Sequence, residues 1–399
     1  MLVNTRNESL ANVLLFDLLA SCYEVLAPVV DTTRLEGQLA AMSEMKRSPL
    51  DQIHREAGGR MVPFAGWEMP VMYQSILDEH RAVREAVGQF DISHMGQLFV
   101  EGEGAEAWLN GLLTNDVAVL GDGQGQYTFL LNEGGGVIDD LILYRIEEGI
   151  YFLVVNAACL AEDLAWLGKH AVEGISLRNE SDGLAGIAVQ GPESIDVFSR
   201  AFGGRCLPGR NGIDVLSVEG QNIWVCRTGY TGEDGFEFFC SNGSAERWWE
   251  EFAEAGAKPC GLGARDSLRL EKCFPLNGSD LTPERTPLEA GLGFFVKLDK
   301  GEFVGCEVLA QQKEVKPAEK LTALLCDEKG APPRPGYAVL DADGHPIGTL
   351  TSGVLSPILG LGIGMAYLPI EQSQVGTTVF IESRGKKMSA KVVKKPFVA

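Results

Sequence analysis

From Pro49 onward, short apolar runs alternate with amphipathic stretches. Residues 127–131, 137–144 and 150–156 concentrate Val, Ile, Leu and aromatic side chains between glycine-rich turns, which predicts strands. Over 105–113, Trp108, Leu109, Leu112 and Leu113 fall on one face at helical spacing. Residues 158–170 and 243–255 read as further helices. This mixture predicts packed α+β layers and not a regular βαβ series. A charged stretch over 313–320 predicts a linker. Beyond it, Asp343-Gly344 and Arg384-Gly385 stand between alternating runs, as hairpin turns do. Ser356-Pro357 and the glycines at 360, 362 and 364 punctuate two more strands, so the tail is expected to be a small all-β barrel or sandwich.

The first 47 residues break the pattern. Their apolar run over 10–23 is interrupted by Asn12 and Asp17, too short and too polar to cross a bilayer. Glu8, Asp17, Glu24, Asp31 and Glu36 argue against a transit peptide, and no persuasive cleavage site follows the apolar run. The segment is expected to be a short helix on a flexible arm, or the product of an upstream start ahead of Met42 or Met45.

Composition narrows the chemistry. A chain of 399 residues, 45% hydrophobic, can fill a large core in two or three domains. Its 34 basic against 55 acidic residues give a net charge of −21, which repels phosphate backbones and disfavours nucleic acid. Nine scattered cysteines without a Cys-x-x-Cys pair signal neither a zinc site nor a disulfide framework, and fit a reducing cytoplasm. No two of the five histidines stand at i, i+4, so no metal site is expected. The glycine runs 121–125, 134–136 and 360–364 lack the Gly-Lys-Ser/Thr or Gly-x-Gly-x-x-Gly spacing of phosphate loops, and read as turns.

Eight blocks carry more. They are Val62-Pro-Phe-Ala-Gly-Trp-Glu-Met-Pro-Val71, Phe90-Asp-Ile-Ser-His-Met-Gly96, Leu113-Thr-Asn-Asp-Val117, and the run from Gln126 through Gly134-Gly-Gly-Val-Ile-Asp-Asp-Leu141. Arg227-Thr-Gly-Tyr-Thr-Gly-Glu-Asp-Gly-Phe-Glu237, Gly261-Leu-Gly-Ala-Arg-Asp-Ser-Leu-Arg269, Pro287-Leu-Glu-Ala-Gly-Leu292 and Ser352-Gly-Val-Leu-Ser-Pro357 follow. On its own chemistry Asp116 is an ordinary residue of a helix-ending turn. Glu237 and Glu233 are carboxylates on or near a strand leaving a tight turn. Arg265, at the start of an amphipathic helix, has Asp266 as an obvious ion-pair partner. His94 reads as a polar core residue.

In this order, the blocks resemble the glycine cleavage T-protein family, the aminomethyltransferases, over about residues 48–397. The resemblance implies a three-domain cloverleaf: two intertwined α+β folate-binding domains over 48–317 and a β-barrel over 318–399, with 1–47 an extension. It implies transfer of a one-carbon unit from an aminomethyl-lipoyl carrier to tetrahydrofolate, with release of ammonia and without a metal. The implied partners are the lipoylated H-protein and, indirectly, glycine decarboxylase (the P-protein) and dihydrolipoyl dehydrogenase. Family positions make Asp116 catalytic and Glu237 and Arg265 folate-binding, with Glu233 second to Glu237. Tyr127, Met95 and the backbone around Val137 are expected pocket walls. The chain departs from the family in ending at Pro396-Phe-Val-Ala399 without the usual tyrosine, and in carrying Cys306 where an arginine is common. Another folate-dependent demethylase, or a non-enzymatic folate-binding assembly factor, is the alternative on this scaffold.

Overall fold

Strand alternation sets the architecture. In the strand Gly235–Ser241, Phe236 and Phe238 enter one apolar cluster while Phe239 enters another on the opposite face. A strand with aromatic residues on both faces must be covered on both. The computed structural model describes residues 45–383 and 385–399; the arm over 1–44, with Cys22, and Arg384 lie outside them. Within Arg47–Ala399, two sheets pack face to face.

The first sheet has six strands, ordered Ile213–Val218, Gln221–Cys226, Gly235–Ser241, Leu184–Gln190, Gly88–Asp91 and Lys258–Pro259. Its pairs are antiparallel except the last, which is parallel. Its outer face is covered by the helices Ser194–Ala201 and Ala245–Glu254. In the second helix, Ala245, Trp248, Trp249 and Phe252 are buried at i, i+3, i+4 and i+7. Each of its aromatic side chains stabilises by about 1.5–3 kcal/mol on burial.

The second sheet has five antiparallel strands: Gln124–Leu131, Val137–Glu147, Ile150–Val155, Gly96–Glu101 and Ser176–Asn179. The helices Ala105–Leu112 and Leu160–Lys169 cover its outer face. Between the sheets lies an aromatic core of Phe90, Phe99, Tyr144, Phe152 and Phe239.

The chain then folds into a closed six-stranded antiparallel barrel. Its strands run in the order Glu319–Cys326, Gly362–Pro369, Pro346–Leu355, Ala338–Leu340, Thr378–Ser383 and Lys386–Val393. The last returns to the first through Ala323↔Val393. The mixed α+β layers and terminal barrel agree with the architecture expected from the pattern. Asp343-Gly344 forms a hairpin turn, with the Asp341 amide bonded to the His345 carbonyl. Ser383 pairs with Lys386, so a two-residue connection closes the other hairpin.

Two expectations need correction. The stretch 313–320 is hardly a linker: the helix Cys306–Val315 runs into it and the first barrel strand begins at Glu319. Its charge reflects a solvated helix end. Gly362 and Gly364 lie inside a strand and not between strands. A β-carbon at Gly362 would stand 2.6 Å from the Pro333 ring, so glycine there answers to close packing.

Candidate active site

The helix Leu262–Glu271 brings the first functional side chain into place. Its start approaches the strand Trp67–Met72 so closely that a β-carbon on Gly261 would lie 2.4 Å from the Val71 backbone. The buried Glu79 carboxylate accepts the Gly261 amide at 2.9 Å and the Tyr73 amide at 2.7 Å, tying helix and strand together. One turn on, the Arg265 guanidinium lies over the Tyr230 ring, 4.9 Å from its centre. The expected partner, Asp266, instead pairs with Arg269 at 2.8 Å. Arg265 is thus left to face a cavity. The far end of the helix is held to the barrel. Arg269 donates to Asp280 and Ser352, each at 2.8 Å, and Glu271 accepts from Ser356 and the Ile358 amide.

The cavity holds about 530 Å³. Phe64, Met95, Tyr127, Tyr230, Phe295 and Leu292 give it apolar walls, and Glu237, Asp140, Asn156, Asn277 and Arg265 supply polar groups. Its size and its few convergent polar groups suit a flat, medium-sized organic molecule. Glu237 is 8% exposed and faces inward because Phe236 and Phe238 take the opposite face of its strand. Thr228 donates to its carboxylate at 2.6 Å and shares a hydrogen bond of 2.6 Å with the Tyr144 hydroxyl. Burial pushes the Glu237 carboxyl above its ordinary range, while the Thr228 hydrogen bond and the Arg265 charge pull it back. Arg265, half-buried in the cavity wall, is lowered by desolvation and supported by Glu237 and Tyr230. An acceptor-only carboxylate and a planar donor therefore look into one enclosed space.

Glu233 is elsewhere. It pairs with Arg84 at 2.8 Å and is absent from the lining, which leaves Glu237 as the cavity's carboxylate from this block. Met95 and Tyr127 line the cavity. Val137 does not. It is fully buried in the apolar cluster that joins the sheet to the barrel, and its amide donates to the Thr282 and Arg285 carbonyls. Asp140, Leu141 and Ile142, further along the same strand, line the cavity in its place.

Asp116 is half-buried and does not line the cavity. It does not close a helix. The helix stops at Leu112, and Asp116 opens a short 3-10 turn by accepting the Ala118 amide at 3.1 Å. Its segment is nevertheless bonded to the cavity wall. The Asn115 side chain donates to the Tyr127 carbonyl at 2.9 Å, and Thr114 donates to the Phe295 carbonyl at 3.0 Å. The Lys300 ammonium holds the same segment, donating to Asn110, Leu113 and Asn115.

Several wall residues lie beyond what the sequence singled out. His94 is 3% exposed, and its Nδ1 has no hydrogen-bond partner. Burial and the Arg265 charge push it down to about 4, so it is neutral near neutrality. Lys272, Lys395 and Pro396 also line the cavity. The chain end is anchored there, since the Phe397 and Val398 amides donate to the Glu271 carbonyl. Asp140 accepts from the Tyr127 hydroxyl at 2.8 Å. Two adjacent acids, Asp139-Asp140, in an otherwise apolar strand were the available signal.

Among the described residues, the candidate metal cluster is Asp341, Asp343 and His345 at a barrel hairpin. The Asp341 carboxylate there already accepts the Asp343 and His345 amides, so turn chemistry accounts for it. No described helix is long and apolar enough to cross a membrane.

Two face-to-face sheets enclosing a carboxylate, a guanidinium and aromatic walls define a small-molecule site for a planar ligand that donates and accepts hydrogen bonds. The GCVT N-terminal domain matches residues 50–300, and the glycine cleavage T-protein C-terminal barrel domain matches 319–399. The chain belongs to the glycine cleavage T-protein family. It is 44% identical to an aminomethyltransferase of Halalkalibacterium halodurans, over 89% of this chain and 99% of that one. It is 43% identical to one of Bacillus subtilis, over 88% and 98%. The crystal structure of glycine cleavage system aminomethyltransferase T from Bartonella henselae superposes with a TM-score of 0.84 at 36% identity, covering 89% of this chain and 98% of that one.

Proposed function

We propose that the chain is a tetrahydrofolate-dependent aminomethyltransferase of glycine cleavage. It receives the one-carbon unit from a lipoylated H-protein loaded by glycine decarboxylase and recycled by dihydrolipoyl dehydrogenase, and it works in the cytoplasm. The observation that carries the substrate is the buried Glu237 carboxylate beside Arg265 in a cavity of about 530 Å³. A pterin presents adjacent N–H donors on its pyrimidine edge, and one carboxylate accepts both as a charge-assisted pair. Arg265 and Tyr230 supply a stacked planar surface for the aromatic remainder.

The reaction moves protons as well as carbon. The C–S bond of the carrier adduct breaks, the C–N bond to the departing amine breaks, and new C–N bonds form to folate N5 and N10. The two N–H protons of N5 and N10 end on the carrier thiol and on ammonia. A carboxylate that stabilises the cationic carbon and handles a proton contributes about 10²–10⁴-fold; the family resemblance gives this part to Asp116, whose segment is bonded to the cavity wall through Asn115 and Thr114. Holding both substrates together supplies the rest. A single-turnover assay with aminomethyl-loaded carrier tests it. Ammonia and methylenetetrahydrofolate in equal amounts are expected, and ammonia release indifferent to tetrahydrofolate would overturn the assignment.

A further inference from the structure

We propose that His94 is a ligand-binding residue of this cavity, its Nδ1–H donating to the pterin carbonyl that flanks the edge held by Glu237. The role rests on the folate reading above. His94 lies on the turn that carries the chain from the strand Gly88–Asp91 of the first sheet to the strand Gly96–Glu101 of the second. The turn is tied from both sides. The Asp91 carboxylate accepts the Ser93 amide at 2.8 Å, and the Ser93 hydroxyl accepts the Gly186 amide at 3.1 Å. The Met95 amide closes the turn on the Ile92 carbonyl at 3.0 Å. The imidazole lines the cavity, 3% exposed, with the Phe64 ring edge-on to it at 5.4 Å. Backbone and ring are thus fixed in advance of binding.

Buried histidines normally engage their nitrogens. In His54, Nε2 meets Asp91 and Nδ1 meets the Tyr73 hydroxyl, each at 2.8 Å. In His80, Nδ1 meets Ser267 at 2.8 Å and Nε2 stands 3.1 Å from Glu271. The Nδ1 of His94 meets no donor or acceptor among the described residues. A buried nitrogen without a partner costs free energy. The cavity that His94 lines is where the partner comes from.

The shape of the ligand identifies that partner. When Glu237 accepts the ring N–H and the exocyclic amine of a pterin, the carbonyl beside that N–H leaves water with them. Its oxygen then needs a donor. The other donors of the cavity are committed. The Tyr127 hydroxyl donates to Asp140, and the Tyr230 hydroxyl to the Pro275 carbonyl. The Asn156 and Asn277 amides donate to carboxylates and carbonyls of the strand Val137–Glu147. Lys272 is turned to the Ala399 carbonyl and Lys395 to that of Ala290. Arg265 lies over Tyr230, as the surface for the aminobenzoyl group. His94 remains, and it stands at the Glu237 end. The Arg265 charge bears on both, favouring the Glu237 carboxylate and keeping the imidazole neutral. A neutral imidazole has one N–H, and the tautomer that puts it on Nδ1 pairs that nitrogen with the carbonyl.

Calorimetry on the full chain tests the contact with three ligands. They are tetrahydrofolate, 6-methyltetrahydropterin as its ring alone, and p-aminobenzoylglutamate as the remainder. H94F keeps a ring against Phe64 and removes the donor. It should weaken tetrahydrofolate and 6-methyltetrahydropterin by a common factor of roughly 5- to 30-fold and leave p-aminobenzoylglutamate unchanged. H94N, whose amide nitrogen falls where Nδ1 stood, should bring both back to within about threefold of wild type, a rescue that packing alone would not give. A loss under about fivefold in H94F that melts normally overturns the contact while leaving the transferase intact. An equal loss for p-aminobenzoylglutamate does the same, as does H94N binding no better than H94F. Should H94F fail to fold, nitrogen NMR of the wild-type histidine rings decides, with the H94N spectrum as the assignment. The His94 Nδ1 signal should move with tetrahydrofolate, and a signal that stays still overturns the contact. A wild-type chain that does not bind tetrahydrofolate overturns the folate reading and this contact with it.

Discussion

Replacing Glu237 with Ala should separate binding from chemistry. The carboxylate is 8% exposed, so a ligand edge that meets it is desolvated with it. Two charge-assisted hydrogen bonds are then lost, each worth about 1.5–3 kcal/mol, less what a water molecule in the vacated space recovers. A net loss of about 2–4 kcal/mol weakens tetrahydrofolate binding by roughly 30- to 1000-fold. E237Q keeps the volume and one acceptor but turns an N–H toward a donor, and should cost about 10- to 100-fold. Thr228 and Tyr144 still bond each other in both variants, so the fold is expected to hold. The pH dependence has a definite sign. Only the ionised carboxylate accepts both donors, and burial raises its pKa above the ordinary value. Wild-type affinity should therefore decline as pH falls, beginning at higher pH than for an exposed glutamate, and E237Q should lack the decline. Calorimetric titration with tetrahydrofolate measures all of this, with melting temperature as the control for folding. A Kd for E237A within about threefold of wild type, in a protein that melts normally, would refute the pterin contact.

D116N should keep folate affinity and cut single-turnover ammonia release at least about tenfold; near-normal release would remove Asp116 from the chemistry. K300M leaves the carbonyls of Asn110, Leu113 and Asn115 without their shared ammonium. Turnover should fall with folate affinity retained, and unchanged turnover would show that Lys300 does not position the Asp116 segment. D163N mimics the acid form of a carboxyl that burial and Asp139 raise well above its unfolded value. Such a group favours the fold while protonated, and its contribution is lost as pH rises through the folded pKa. Wild-type melting temperature should accordingly fall toward alkaline pH, D163N should fall less, and parallel curves would show that Asp163 is not held in its acid form.

The layered α+β fold was legible because its signals are local. The runs of Val, Ile, Leu and aromatics within 127–156 and the i, i+3, i+4, i+7 spacing of Ala245, Trp248, Trp249 and Phe252 each specify an element without reference to the rest of the chain. Hairpin glycines marked the barrel for the same reason. The linker was misread because charge alone does not distinguish a solvated helix end from a loop: Lys313 and Glu314 still belong to the helix Cys306–Val315.

The site was legible only where a motif named its residues. Glu237 comes from a strand and Arg265 from a helix further along the chain, and only the folded chain brings them to one cavity. Val137 was misplaced through strand geometry. Its position in a glycine-rich block is shared with Asp140, but Val137 packs toward the barrel while Asp140 reaches the cavity. His94 looked like an ordinary core histidine, and its burial is indeed that of one. Only its neighbours, Arg265 and the cavity, separate it from that class.

The barrel has a part in the site that neither its sequence nor its distance from Glu237 announces. Arg269 and Glu271 sit one turn and one and a half turns beyond Arg265 on the same helix, and both are spent on barrel residues Ser352 and Ser356. The helix is thus fixed at both ends, by Glu79 at its start and by the barrel at its finish. Past the last barrel strand, the chain returns to the cavity, where Lys395 and Pro396 form part of the wall and Phe397 bonds the Glu271 carbonyl. The tail contributes Lys395 to the wall, which shares it with Arg265 and with Lys272 from the end of the helix Leu262–Glu271. Burial lowers the basicity of Lys395, and an ammonium so placed gains most from a ligand that brings negative charge.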